Sequence, residues 1–194
     1  MRHVPKTISE RLAQAPRAFA VRGYDDTRIE DIATACGVPK STLYYYFDGK
    51  EELFAFLLQR MLARAASAVS TAIDEDCATG AEQLRRILHA QVAVMATEPD
   101  SCQLLLTNLG RAGAIPRIAE AVDVALYAPL RAALAAGRRD GTLRAAGEPE
   151  TIVAAVYGAV TIAGLHYIVA RKPIPRRVAR DVVGLLLNGL AAER

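Results

Sequence analysis

The sequence has few cysteines and lacks the spacings at which cysteine and histidine usually bind zinc. Its 194 residues include three cysteines, Cys36, Cys77 and Cys102, and no C-x-x-C pair. This odd number without paired spacing argues against a disulfide framework or a zinc site and fits a reducing cytosol. We therefore predict no metal site and no cofactor, and we interpret Cys36 as a small core residue.

A strong charge of either sign is also missing. The formal net charge is +3, and the first fifty residues carry eight Lys or Arg and six Asp or Glu, a net charge of +2. The chain therefore has no basic tail. If it binds DNA, the binding must depend on a few well-placed groups and not on a broad positive field.

Motifs of catalysis and of export are absent from the sequence as well. There is no phosphate-cradling glycine loop, no H-E-x-x-H, no G-x-S-x-G and no convincing Cys/His pairing. An enzyme stays open as an alternative, because distant residues can assemble an active site without a motif. The N-terminal stretch MRHVPKTISER lacks the apolar run of a signal peptide, so we expect a cytoplasmic protein.

No alternating run of strand length appears between turn signals, and apolar residues recur instead at helical spacing. We predict an all-α fold of about nine helices. They are expected near residues 7–22, 28–36, 39–46, 50–77, 79–97, 100–111, 116–136, 149–171 and 176–192. Pro129 marks the place for a bend in the seventh of these helices, and Gly137 to Gly147 are expected to form a loop.

The stretch from Thr27 to Lys50 has the spacing of a helix-turn-helix. Thr27 and Glu30 form the T-x-x-E pattern of a capping box, which predicts a helix start just after Thr27. Gly37 suits the left-handed residue that ends a helix, and Pro39 suits the start of the next. An ordinary helical hairpin shows similar glycine turns, so the pattern by itself leaves that alternative open.

Several residues in and around this motif occur at a spacing typical of one family. They are Phe19, Gly23, Tyr24, Thr27, Ile32, Ala33, Gly37, Val38, Thr42, Leu43, Tyr44, Tyr46, Phe47, Lys50, Glu51 and Leu53. In this pattern, residues 7–60 resemble the tetracycline-repressor (TetR) family of bacterial transcriptional regulators. The resemblance implies a DNA-binding head at residues 1–50 and a ligand-binding and dimerisation body at residues 51–194. Two prolines depart from the family pattern: Pro16 should kink or delay the first helix, and Pro39 replaces a common serine cap.

The second helix of the motif is expected to enter the major groove of DNA. Lys40, Ser41 and Thr42 lie near its N-terminus, where base edges are usually read. The family resemblance implies that Tyr44, Tyr45 and Lys50 contact backbone phosphates, which position the protein. Thr27 and Arg28, at the start of the preceding helix, are expected to contact phosphate as well.

A homodimer is predicted, because one recognition helix reads only a few base pairs and two can read a palindromic operator. The last two helices are the expected interface. Its predicted residues are Tyr157, Val160, Gly164, Leu165, Val183, Leu186, Leu187 and Leu190. Packing within one subunit is the alternative for the glycine.

The body is expected to hold a small-molecule effector that changes the spacing of the two heads. Candidate lining residues are Met95, Leu105, Asn108, Tyr127, Thr161 and His166. Because these helices carry few charges, an effector would be apolar or weakly polar. Ordinary core packing is the competing interpretation for the Met, Leu and Tyr residues.

Two further alternatives remain at this point. Residues 152–170 form a nineteen-residue stretch without Asp, Glu, Lys or Arg, close to the length of a membrane span. Its polar residues and glycines favour a helix buried on nearly all sides, which usually needs a partner subunit. A DNA-binding architectural protein without an effector is the other alternative, although a large apolar body argues against it.

Overall fold

The computed structural model describes residues 3–73, 78–144 and 147–190, without the side chains of residues 176, 189 and 190. Within these ranges the chain is helical, which confirms the predicted all-α class. The helices are α1 (Lys6–Arg11), α2 (Ala15–Arg22), α3 (Ile29–Cys36), α4 (Lys40–Tyr46), α5 (Lys50–Ala72), α6 (Gly80–Thr97), α7 (Pro99–Thr107), α8 (Leu109–Gly113), α9 (Pro116–Val122), α10 (Ala128–Asp140), α11 (Pro149–Val169) and α12 (Arg176–Leu190).

Three of the predicted helices are divided. A 3-10 turn at Leu12–Gln14 separates α1 from α2 just before Pro16, as the proline predicted. Asn108 interrupts the expected helix to Arg111 between α7 and α8. A π-helical turn at Asp123–Tyr127 precedes Pro129, where we predicted a bend. The predicted start of the next loop at Gly137 was wrong, because α10 continues to Asp140.

The chain forms two compact units. The head unit comprises Met1–Met61 and Asp100–Ala119, so α8 belongs to it together with the helix-turn-helix. Three rings hold its centre: Phe19 stacks on Tyr24 at 5.6 Å, and Phe54 of α5 meets the edges of both. This aromatic cluster joins α2 and the turn after it to α5.

The body unit comprises Leu62–Pro99 and Glu120–Arg194. In it, α6 packs against α10, α11 and α12. The N-terminus of α6 is capped twice, because Thr79 Oγ1 accepts a hydrogen bond from Glu82 N (3.2 Å) and Asp140 accepts one from Gly80 N (2.7 Å). Thr79 is thus the N-cap of α6, at the residue where the sequence predicted the start of this helix. Cys77, at the predicted break before it, lies outside the described residues.

Two helices, α5 and α11, are long and apolar enough to cross a membrane by length and composition. Of the residues in their most apolar stretches, 50% and 39% are buried. One chain therefore buries only part of α11, and the predicted burial on nearly all sides would need a partner subunit. Ile162 and Val169 on this helix are 64% and 61% exposed, so part of its apolar surface is uncovered.

Candidate nucleic-acid interface

A tight turn between α3 and α4 sets the geometry of the site. Gly37 has φ +60°, the left-handed conformation that glycine adopts without strain, and Val38 N donates to Ala33 O at 3.0 Å. Pro39 follows in an extended conformation and α4 begins at the next residue. Arg11 donates to Gly37 O at 3.2 Å, which ties the turn to α1.

The start of α3 differs from the prediction by one residue. Arg28, not Thr27, is the N-cap, and its backbone N–H donates to the Asp31 carboxylate at 3.0 Å. This bond, helped by Arg22 at 2.7 Å, lowers the pKa of Asp31. Thr27 is fully buried and donates its hydroxyl proton to Gly23 O at 2.6 Å. This burial argues against a contact between the Thr27 side chain and the phosphate predicted to bind at the start of α3.

One side of α4 is anchored and the other is open. Leu43 and Phe47 are fully buried in the head unit. Lys40, Ser41, Tyr44 and Tyr45 are exposed, and Thr42 is partly exposed. We call these five the α4 outer face. Residues four apart in a helix lie on the same side, so Lys40 adjoins Tyr44 and Ser41 adjoins Tyr45.

Lys40 is held above the tyrosine next to it. Its ammonium forms an ion pair with Glu30 of α3 and lies 5.5 Å from the centroid of the Tyr44 ring. The hydrogen bond to Glu30 raises the pKa of Lys40 and lowers the pKa of Glu30. Both side chains are about half exposed, so the pair is open to exchange with a phosphate or a base edge.

Lys50 has a different role from the predicted one. Its ammonium donates to the carbonyl oxygens of Tyr24 (2.7 Å) and Asp25 (2.9 Å) and lies 4.5 Å above the Tyr24 ring. These contacts fasten the start of α5 to the turn between α2 and α3. Two carbonyl acceptors compete with any phosphate, so the structure argues against the predicted phosphate contact of Lys50.

Sequence reasoning missed Arg111 of α8. Its guanidinium lies 3.9 Å from the centroid of the Tyr24 ring and donates to Asp25 at 2.9 Å. This contact joins a helix from the middle of the chain to the turn that precedes the helix-turn-helix. The partners are 86 residues apart in sequence, and no local pattern signals such a pair.

The candidate effector residues are divided between the two units. Leu105 and Asn108 belong to the head unit, and the Asn108 amide donates to Leu104 O at 2.9 Å. In the body unit, His166 is exposed, whereas Met95 and Thr161 are buried. Tyr127 is partly buried and its ring meets that of Tyr157 at 5.0 Å.

The predicted dimer residues divide into two groups. Tyr157, Val160, Gly164 and Val183 are buried in the body unit of one chain, which argues against their predicted place in the dimer interface. Leu165, Leu186 and Leu187 are partly exposed, and the side chain of Leu190 lies outside the described part. Among the described side chains of α12, Leu185 is the most exposed large apolar one, at 75%.

A search of the described residues finds no group of three His, Cys, Asp or Glu placed to hold a metal ion. Cys36 and Cys102 are buried, and Cys36 is a free thiol. Burial raises the pKa of the Cys36 thiol to about 11, which keeps it protonated at neutral pH.

Comparison with known proteins supports the arrangement of the head. Residues 12–57 match the sequence model described as bacterial regulatory proteins, tetR family. The uncharacterized HTH-type transcriptional regulator YdgC of Bacillus subtilis is 24% identical over 179 residues, covering 92% of this chain and 90% of that protein.

Solved structures share the fold over nearly the whole chain. The TetR family regulator PfmR from Thermus thermophilus superposes with a TM-score of 0.77 at 24% identity, covering 95% of this chain and 99% of that one. FadR from Bacillus subtilis, solved in complex with stearoyl-CoA, superposes with a TM-score of 0.77 at 18% identity, covering 93% of this chain and 98% of that one.

Proposed function

We propose that this chain, a member of the tetR family of bacterial regulatory proteins, is a repressor released from a palindromic operator by a small molecule. The observation that carries the proposal is that the α4 outer face is accessible to solvent while Leu43 and Phe47, on the opposite side of the motif, are buried and hold the helix in place. A helix held in this way can enter the major groove with its N-terminal residues at the base edges. Proteins of this family are transcriptional regulators, and we infer that this chain is not an enzyme.

Different residues of the α4 outer face contact the bases and the phosphates of DNA. Lys40, Ser41 and Thr42 read base edges near the helix N-terminus. Tyr44 and Tyr45 contact phosphates, joined by the exposed Arg28 at the start of α3. Thr27 and Lys50 support the head from inside, as their bonds to backbone carbonyls indicate.

The proposed division is a DNA-binding head at residues 1–50 and a body at residues 51–194, and α8 from the second range contacts the first. Because Arg111 stacks on Tyr24 and binds Asp25, a shift of α8 would move the turn before the helix-turn-helix. Arg111→Ala should therefore weaken operator binding without changing its dependence on salt. Arg117→Ala, an exposed position of α9, is the control. Unchanged operator affinity in Arg111→Ala would remove this link.

A homodimer formed through α11 and α12 supplies the second head. Ile162, Val169 and Leu185 are large apolar side chains left open in one chain, and a partner would cover them. Leu186 and Leu187 follow Leu185 on α12 and are partly exposed. Leu185→Asp should give a monomer in sedimentation velocity, whereas Val124→Asp, at another exposed apolar position, should stay dimeric. A dimeric Leu185→Asp variant would reject this interface.

The effector is an apolar or weakly polar small molecule held in the body of the protein. The FadR structure, solved with stearoyl-CoA, is one example of this fold with a ligand that carries a long apolar acyl chain. Met95, Tyr127 and Thr161 remain the proposed lining residues, because they lie in the body unit and are wholly or partly buried. The protein acts in the cytoplasm, where its operator is.

The test is a gel shift on the intergenic DNA upstream of the gene. A regulator binds this fragment more tightly than random DNA of the same length, and the preference survives added salt. Equal binding to both fragments would instead favour the architectural alternative. No binding to any fragment by the dimer would reject the proposal.

A further inference from the structure

Gln91 carries a buried acceptor that no described residue satisfies. It lies on the inner side of α6 and is 5% exposed. Its Nε2 donates to Leu126 O at 3.2 Å, and its Oε1 is fully buried without a hydrogen-bond partner. Exchanging the amide nitrogen and oxygen would set two acceptors against each other at Leu126, so the carbonyl fixes this orientation. A buried acceptor left unpaired is uncommon and calls for a donor from elsewhere.

The acceptor lies beside an irregular part of the body unit. Leu126 belongs to the π-helical turn Asp123–Tyr127, a rare conformation that often occurs at functional sites. The next residue, Tyr127, packs its ring against Tyr157 of α11. Gln91 and Tyr157 therefore contact the same turn, one from α6 and the other from α11.

A flexible side chain occupies the space one helical turn along from Gln91. Met95 packs on Gly164 of α11 so closely that a Cβ at position 164 would lie 2.8 Å from its sulfur. Because Gly164 has no side chain, the thioether of Met95 occupies the space beside it. The Met95 side chain can move out of this space by rotating about its three side-chain bonds. Thr161 nearby on α11 already donates its proton to Tyr157 O at 2.8 Å, so it is no donor for Gln91.

We propose that Oε1 of Gln91 accepts a hydrogen bond from a hydroxyl group of the effector, whose remaining skeleton is apolar. This inference rests on the proposed function, since it names the chemistry of the molecule that releases the operator. A carboxylate would place its own acceptors against Oε1. The apolar part of the molecule would displace Met95 from Gly164, between α6 and α11.

Isomeric probes isolate the hydroxyl group. Octanol is compared with heptyl methyl ether, and para-butylphenol with para-propylanisole, with octanoate as the anion. For the wild-type dimer we expect the hydroxyl member of at least one pair to raise the melting temperature and release operator DNA. Its ether isomer should need about a tenfold higher concentration, the effect of one buried hydrogen bond. Octanoate should have no effect.

Two variants test whether the preference for the hydroxyl compound over its ether isomer depends on Gln91. Gln91→Met should bind both isomers equally, whereas Gln83→Met, the same change elsewhere on α6, should keep the tenfold preference. The inference is overturned if wild type binds alcohol and ether equally, as it would if a buried water satisfied Oε1. It is also overturned if neither hydroxyl compound acts, or if the preference persists in Gln91→Met. Operator binding measured without any compound tests the proposed function separately, so the two failures are distinguishable.

Discussion

Replacing Lys40 with glutamine tests whether α4 reads bases. The side chain lies at the N-terminus of α4, about half exposed, with its ammonium shared between Glu30 and the Tyr44 ring. A lysine that donates to a base edge contributes about tenfold in affinity for each half-site. Two heads on one palindrome carry two such contacts, so Lys40→Gln should weaken operator binding about a hundredfold. Binding to random DNA should change little.

A purely phosphate-bound Lys40 would give a different result. Each phosphate contact adds about 0.9 to the slope of log affinity against log salt, so losing two would lower the slope by about 1.8. When salt is raised from about 50 to 200 mM, the DNA affinity of wild type would then fall by a factor roughly twelve times larger than that of Lys40→Gln. Operator and random DNA would be affected alike.

Titrations of operator and random DNA by fluorescence anisotropy at several salt concentrations separate the two cases. Arg139→Gln, an exposed position on α10 with the same loss of charge, should match wild type. Glu30→Gln frees Lys40 from its ion pair and should tighten operator binding a few-fold. If Lys40→Gln loses the same factor in affinity for operator and for random DNA, and its affinity depends less steeply on salt, Lys40 does not read a base. Full operator affinity in Lys40→Gln would refute the placement of α4 in the groove.

Other predictions concern DNA positioning, packing and pH. Tyr44→Ala should weaken binding to operator and random DNA equally in the same titrations, and a loss confined to the operator would contradict a phosphate role. Gly80→Ala should destabilise the fold by about 2 kcal/mol in thermal unfolding, because its Cβ would lie 2.7 Å from Ala133 O and closer still to the Gly137 backbone, whereas Gly110→Ala meets nothing within 4 Å. Since burial raises the pKa of Cys36 from its usual 9.0 to about 11, the folded state keeps the neutral thiol. The free energy of unfolding in denaturant should then decrease as pH rises from 9.0 towards 11, and more steeply than in Cys36→Ala.

The helix-turn-helix was predictable because its signals are local. Gly37 ends α3 in the left-handed conformation, and Pro39 precedes α4, as the residue types indicated. The inward pair Leu43 and Phe47 followed from helical spacing. Capping is harder to predict where two acidic residues adjoin. Glu51 and Glu52 both follow Asp48, and it is Glu52 that accepts from Asp48 N, at 2.7 Å.

The inner side of α11 could not be predicted from its sequence. This helix is apolar around its whole circumference, so periodicity does not distinguish the side that packs on α6 from the side that stays open. Tyr157 and Val160 turned out to be buried, whereas Ile162 is exposed. The candidate dimer surface therefore shifted to side chains that the sequence did not single out.

The amino-acid sequence by itself determined where most helices begin and end and which side of α4 faces outward, because caps, turns and helical periodicity act within a few residues. Only the tertiary structure decided that Lys50 binds the turn between α2 and α3, that Arg111 reaches Tyr24 and that Gln91 Oε1 has no partner in the described part of the chain. Those properties depend on residues brought together from distant parts of the chain, and packing sets such distances, not local conformational preference.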